Sequence, residues 1–335
     1  MNKEYEMKEL GSKDPLKRDS SIDILKCLAV LAITNSHMGL AYGKFAFLAT
    51  GGAIGDALFF FCSGYTLFLG PKRDFFNWYK RRINRIYPTI FTWSVFLALF
   101  FDLHYDMPNI LLRGGHWFVS CIMIYYIILW FVRQYAIKLF WLVFLFVISL
   151  IVVWYFVFGI DDVGNNIYGY CYFKWVHYFL FMLLGAVKGL HNHDCRSEIR
   201  LPCFKKTIIQ LSICVALFYF LCWFKQFDGM AFDFLQIFSL APLSCICLLL
   251  YRLCNTELLT IAYNHKYIGR LIRFIGGLCL EIYLVQCALI KLKLNLILLL
   301  LCIILGAYIL RCLARIWRQI FSENNFKWGE IVKFY

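Results

Sequence analysis

The sequence predicts an all-α, polytopic membrane protein with about ten transmembrane helices and both termini cytoplasmic. Three observations predict it. Of the 335 residues, 62% are hydrophobic and only 16% charged, where a soluble domain has about 25% charged and about 45–50% apolar residues. The apolar residues fall in runs of about twenty, the length that spans ~30 Å of hydrocarbon as a helix. The basic residues, which outnumber the acidic by 34 to 20, lie in short clusters between those runs.

Taken in order, the runs predict spans near 22–42, 53–70, 88–102, 117–132, 139–158, 175–190, 207–224, 231–250, 274–290 and 294–313. The segments between them alternate in charge. One set, 1–21, 71–87, 133–138, 188–206, 251–273 and 311–335, carries 27 Lys and Arg, whereas the other carries six. Cytoplasmic loops hold the basic excess, so this alternation places both termini inside and accounts for the +14 net charge without nucleic acid as a partner. The expected organisation is a cytoplasmic tail over 1–21, a membrane domain over 22–313 and a second cytoplasmic tail over 314–335. The first apolar run is too long for a signal-peptide core and reads as a retained anchor. Most of the 15 cysteines lie within apolar runs and no C-x-x-C pair occurs, so they read as small reduced core residues. The HNHDC cluster at 191–195 sits in a basic loop with no second ligand pair, and no metal site is expected there.

Ionisable groups inside a span are costly, which makes them functional candidates. The first span holds Asp23, Lys26 and His37. Asp23 and Lys26, three apart, fit an interfacial ion pair with Lys26 snorkelling outward. His37 follows Lys26 by eleven residues, about 1100° of helical rotation and roughly 16 Å of rise, so both project from nearly one face. Lys26 is then at the cytoplasmic mouth with His37 deep, beyond the midplane. His37 is either a polar helix contact or, because an imidazole titrates near neutrality, a general base.

The second span opens GGAIGDALFFFCSGY. Its small residues, Ser63 and Gly64 among them, permit either close helix packing or the approach of a thin ligand to the backbone. The following DFFNWYKRRINRIYP interleaves aromatic and basic residues and reads as an interfacial amphipathic helix ended by Pro88. Its Arg82 and Arg85 suit either lipid headgroups or the phosphates of a soluble cofactor. The fourth span begins with His116 and Trp117 at its outer end, either polar contacts or part of an acceptor site. Glu281 and Gln286 fall in the ninth span, where a carboxylate needs a partner or a proton.

These residues together resemble acyltransferase family 3, membrane O-acyltransferases of bacterial surface glycans and related acceptors. The resemblance covers nearly the whole chain. It rests on Asp23, Leu25, Lys26 and His37 in the first helix, on Phe60, Phe61, Ser63 and Gly64, on Arg82, Arg85, Ile86 and Pro88, on Trp117 and Phe118, and on Tyr283 and Leu284. Two positions depart from the family: the helix of Trp117 lacks the acid of many members, and Gln286 stands where a His is common. The resemblance implies a multi-pass protein of the bacterial inner membrane that takes acyl-CoA, acetyl-CoA above all, from the cytoplasm. The acyl group would pass to a hydroxyl of a glycan or lipid-linked acceptor, with no metal. It implies His37 as base, Lys26, Arg82, Arg85, Ser63 and Gly64 as donor-binding residues, and Asp23, His116, Trp117 and Glu281 as acceptor-binding or supporting residues. The competing reading is a multipass transporter or flippase for a glycan intermediate, without acyl transfer.

Overall fold

A computed structural model describes residues 19–68, 74–101, 106–159, 166–169, 171–194, 202–223, 234–292, 294–321 and 326–334. The N-terminal tail up to residue 18 and Cys195 of the HNHDC segment lie outside the described residues, whose regular elements are all helices, without strands. The helices are α1 Ser20–Ser36, α2 Gly39–Tyr42, α3 Gly52–Phe68, α4 Phe75–Phe101, α5 Met107–Arg113, α6 His116–Tyr135, α7 Phe140–Trp154 and α8 Lys174–Asp194. They continue as α9 Phe204–Trp223, α10 Leu240–Cys254, α11 Glu257–Asn264, α12 Lys266–Gly277, α13 Cys279–Leu289, α14 Leu296–Ile320 and α15 Trp328–Ile331. Five helical stretches are long and apolar enough to cross a membrane, or seven when two bent pairs each count as one span. The protein is a multi-pass membrane protein.

At the centre, α3 packs against α1 on one face and α8 on another. The α3/α8 crossing is so close that a Cβ at Gly64 would lie 1.9 Å from the Met182 carbonyl oxygen, and one at Gly185 2.0 Å from that of Phe61. Small residues give membrane helices this backbone contact, where apolar burial drives nothing. Gly64, expected among the donor-binding residues, therefore faces α8 and packs there. Around the crossing sit Phe60, Phe61, Tyr178 and Phe181, all without exposure beyond 1%. The outer faces of α7 and α9 are apolar and open, with Trp141, Phe146, Ile209 and Ile213 each more than half exposed, as a lipid-facing surface requires.

Four elements differ from the sequence expectation. The first span, read as one helix over 22–42, ends at Ser36 and turns by 67° into the following residues. The cause is local: the Ser36 hydroxyl (2.7 Å) and His37 Nδ1 (2.8 Å) both bond the Ile33 carbonyl, and the His37 amide turns to Thr34 O. Side chains that occupy a helical carbonyl compete with the ladder and end it. Pro88 does not end a helix. It lies inside α4, so the amphipathic segment and the third span are one continuous helix; the proline forfeits one ladder bond, a loss tolerated where neighbouring helices support the backbone. The ninth span, read over 274–290, is broken by 68° between α12 and α13, with Leu278 at the corner. Finally, α14 runs past residue 313 to Ile320, so the stretch read as a C-terminal tail begins within a helix.

Candidate functional site

One stripe of α1, Asp23, Lys26, Val30 and Ile33, faces a cavity of about 290 Å³ enclosed by α1, α3, α4, α6, α12, α13 and α14. Its two ends differ in chemistry. Six cations line one end: Lys26, Arg82, Arg85, Arg311, Arg315 and Arg318, against the carboxylates of Asp23 and Glu281. The other end is lined by Val30, Ile33, Phe59, Phe118, Val119 and Tyr283. Arg85 and Arg318 are exposed at the mouth and Lys26, Arg82, Arg311 and Arg315 are half-buried further in.

The cations are held by different means. The Arg82 guanidinium lies over the rings of Trp78 (5.1 Å) and Tyr126 (5.6 Å), which orients it without consuming its hydrogen-bond donors; its buried Nε has no partner. Arg318 donates to the Arg85 carbonyl (2.9 Å) and so ties α14 to α4. Arg315 donates to the carbonyls of Ile331 (3.0 Å) and Lys333. Arg311 forms a two-point pair with Glu281, Nε to Oε1 at 3.2 Å and Nη2 to Oε2 at 3.0 Å, and also donates to the Gly277 carbonyl. Asp23 accepts from the Tyr263 hydroxyl at 2.7 Å.

The Glu281–Arg311 pair meets the requirement for a partner. With side chains 8% and 13% exposed, it is a buried pair, and removing one member of such a pair costs about 3–5 kcal/mol by stranding the other charge. Arg311→Leu is therefore expected to lower the denaturation midpoint of detergent-solubilised protein, and Glu281→Gln added to it to recover part of the loss. A double variant no more stable than Arg311→Leu would show that the stranded carboxylate is not the cause.

Of the residues expected from sequence, Asp23, Lys26, Ser63, Arg82, Arg85 and Glu281 line this single cavity. Glu281 sits at its cationic end, apart from His116 and Trp117, with which it was grouped. His37, His116, Trp117 and Gln286 do not line it. Trp117 packs away from it, with the Lys174 ammonium 4.3 Å over its ring and Tyr178 behind. Gln286 is fully buried with both amide atoms unpartnered.

His37 lies at the exposed corner after α1, one turn beyond Ile33 on the lining stripe. Its Nδ1 can only donate to the Ile33 carbonyl oxygen, which fixes the tautomer and leaves the lone pair on Nε2. His116, also exposed, lies within electrostatic range of His37 and sets its ring edge-on to Tyr283, centroids 6.1 Å apart. Tyr283 in turn packs on Phe118 at 5.5 Å. Tyr283 and Phe118 line the cavity, and the two imidazoles lie outside its lining, His116 in contact with Tyr283.

Sequence reasoning missed Arg311, Arg315 and Arg318. Their spacing, i, i+4 and i+7 in an otherwise apolar helix, is a one-face stripe and was the available signal; counted only as loop charge, it went unread.

A family model described as an acyltransferase domain, Acyl_transf_3, matches residues 19–317. No curated protein and no solved structure shows significant similarity to the chain.

Proposed function

The chain belongs to acyltransferase family 3, and from that premise we propose that it moves an acyl group, acetyl above all, from cytoplasmic acyl-CoA to a hydroxyl of a carbohydrate or related envelope acceptor. The observation that carries this reading is the two-ended cavity. A coenzyme A thioester has a polyanionic head and a thin, nearly uncharged arm, and the cavity lining combines six cations with an apolar set that includes Ile33, one turn before His37. Arginine binds phosphate through paired N–H donors, so Lys26, Arg82, Arg85, Arg315 and Arg318 hold the phosphates, and Ser63 and the apolar stripe border the arm.

In this reading His37 Nε2 takes the proton from the acceptor hydroxyl as its oxygen attacks the thioester carbonyl carbon. The carbon–sulfur bond breaks and the thiolate leaves, recovering the proton. Asp23, through Tyr263, steadies the N-terminal half of α1 beside Lys26. The ten-pass topology with both termini cytoplasmic belongs to this proposal: α3, α4 and α8 join the five long helices and two bent pairs, and the cationic end of α1 then faces the cytoplasm. The membrane is the bacterial inner membrane, with a glycan or lipid-linked acceptor at the outer side. The family match does not favour a transporter without acyl transfer.

The test is release of free thiol from acetyl-CoA by the purified protein on addition of envelope glycan extract, with mass spectrometry for the acyl increment on the glycan. Movement of glycan without thiol release would refute the reading. A charge prediction accompanies it. A hydrogen bond from a charged group contributes at least about 1.5 kcal/mol, so Lys26→Gln and Arg82→Gln are each expected to raise KM for acetyl-CoA about tenfold with little change in kcat. Equal KM in all three proteins would remove phosphate binding from the cavity.

A further inference from the structure

His116 is the only described residue other than glycine with a left-handed backbone, φ 53°. A side chain rarely occupies that region unless its surroundings impose it, and such residues cluster where geometry serves function. The preceding residue contributes to the imposition: a Cβ at Gly115 would lie 2.3 Å from Val119 Cγ2, so only glycine lets the chain turn so tightly into α6. The backbone is thus committed to aiming one imidazole. That imidazole meets Tyr283 edge-on at 6.1 Å, where Tyr283 lines the end of the cavity, and it stands within electrostatic range of His37. His116 is also the first residue of the 20-residue α6, at the positive end of that helix.

Resting on the acyl-transfer reading above, we propose that His116 is a second catalytic residue, the hydrogen-bond donor to the thioester carbonyl oxygen as it becomes an oxyanion. The acceptor oxygen bonds to the carbonyl carbon, its proton passes to His37 Nε2, and the carbonyl π pair moves onto oxygen, where the His116 N–H donates. Collapse restores the C=O bond and expels the coenzyme A thiolate, which takes the proton back from His37. The two imidazoles divide the work: one accepts a proton, the other donates a hydrogen bond and keeps its own. Tyr283, which lines the cavity and meets the His116 ring edge-on, positions that ring toward the thioester.

The left-handed backbone supplies a clean variant. His116→Gly removes the imidazole while placing at φ 53° the residue that tolerates it best, so the fold is kept. With acetyl-CoA as donor and envelope glycan extract as acceptor, His116→Gly is expected to lower kcat by about 100-fold, the lower end for loss of one oxyanion donor, with KM for acetyl-CoA unchanged. His116→Gln, which keeps an N–H donor but no titratable group, is expected to recover at least tenfold of that loss, whereas His37→Gln recovers none. His116→Gly turning over as fast as the wild type overturns the assignment alone, and so does a variant that keeps kcat and raises only the acceptor KM. Wild-type protein that releases no thiol overturns the acyl-transfer reading and this assignment together.

Discussion

Replacing His37 by alanine is expected to lower acyl transfer by about 10²–10⁴-fold, the range supplied by a positioned general base, with acetyl-CoA binding preserved. The expectation rests on three features of one residue. The Ile33 carbonyl accepts from Nδ1 at 2.8 Å, which fixes the basic nitrogen as Nε2. The ring stands at the C-terminal end of α1. Its place on the α1 stripe puts it one turn beyond Ile33, at the apolar end of the cavity. The fold survives the change because the Ser36 hydroxyl still occupies the Ile33 carbonyl and Asn35 still bonds the Leu48 and Thr50 carbonyls. Thiol release and acetyl-CoA binding, measured on the same preparation, check it. Full activity in the alanine variant would remove the base; loss of binding as well would relocate His37 to the donor site.

The second large effect is structural. Valine at Gly185 is expected to abolish assembly of the folded protein. A Cβ there would stand 2.0 Å from the Phe61 carbonyl oxygen and one at Gly64 1.9 Å from that of Met182, backbone atoms that no rotamer change can move aside. The helices must separate, and α3 would carry Ser63 and the α1 contact with it, opening the cavity from the side. Such a loss belongs with the exceptional class of more than about 4 kcal/mol. Gly329, whose Cβ would meet nothing within 4 Å, is the control: alanine there is neutral. Monodisperse elution of the detergent-solubilised protein separates the two, and a well-behaved Gly185→Val would contradict the close crossing.

Much of this site was legible from residue types and spacing. Asp23 and Lys26, singled out as ionisable groups inside a span, and the Arg82 and Arg85 pair all line one cavity, whereas His37, placed on the face of Lys26 by the helical period, does not line it. What escaped was set by contacts that periodicity does not encode. The stop after Ser36 arises because two side chains compete for one carbonyl, and nothing in the hydropathy of 22–42 records it. Pro88 reads as a terminator in water, yet α4 continues through it. For Gly64 the sequence left packing and ligand approach both open, and the resemblance implied donor binding; its partner is the Met182 carbonyl, 118 positions away in the chain. The α14 arginines were counted only as loop charge, and the His116 backbone conformation is invisible to any reading of residue types.

The central claim is that a cationic donor cavity and an outer imidazole pair belong to one path along α1, so that donor and acceptor meet from opposite sides. Its most direct test is sidedness in proteoliposomes of uniform orientation. Acetyl-CoA labelled in the acetyl group is supplied only on the side of Arg85 and Arg318, and envelope glycan extract only on the side of His37 and His116. The account predicts label on the glycan, with free coenzyme A remaining on the donor side. Label that appears only when donor and acceptor share a compartment would contradict it.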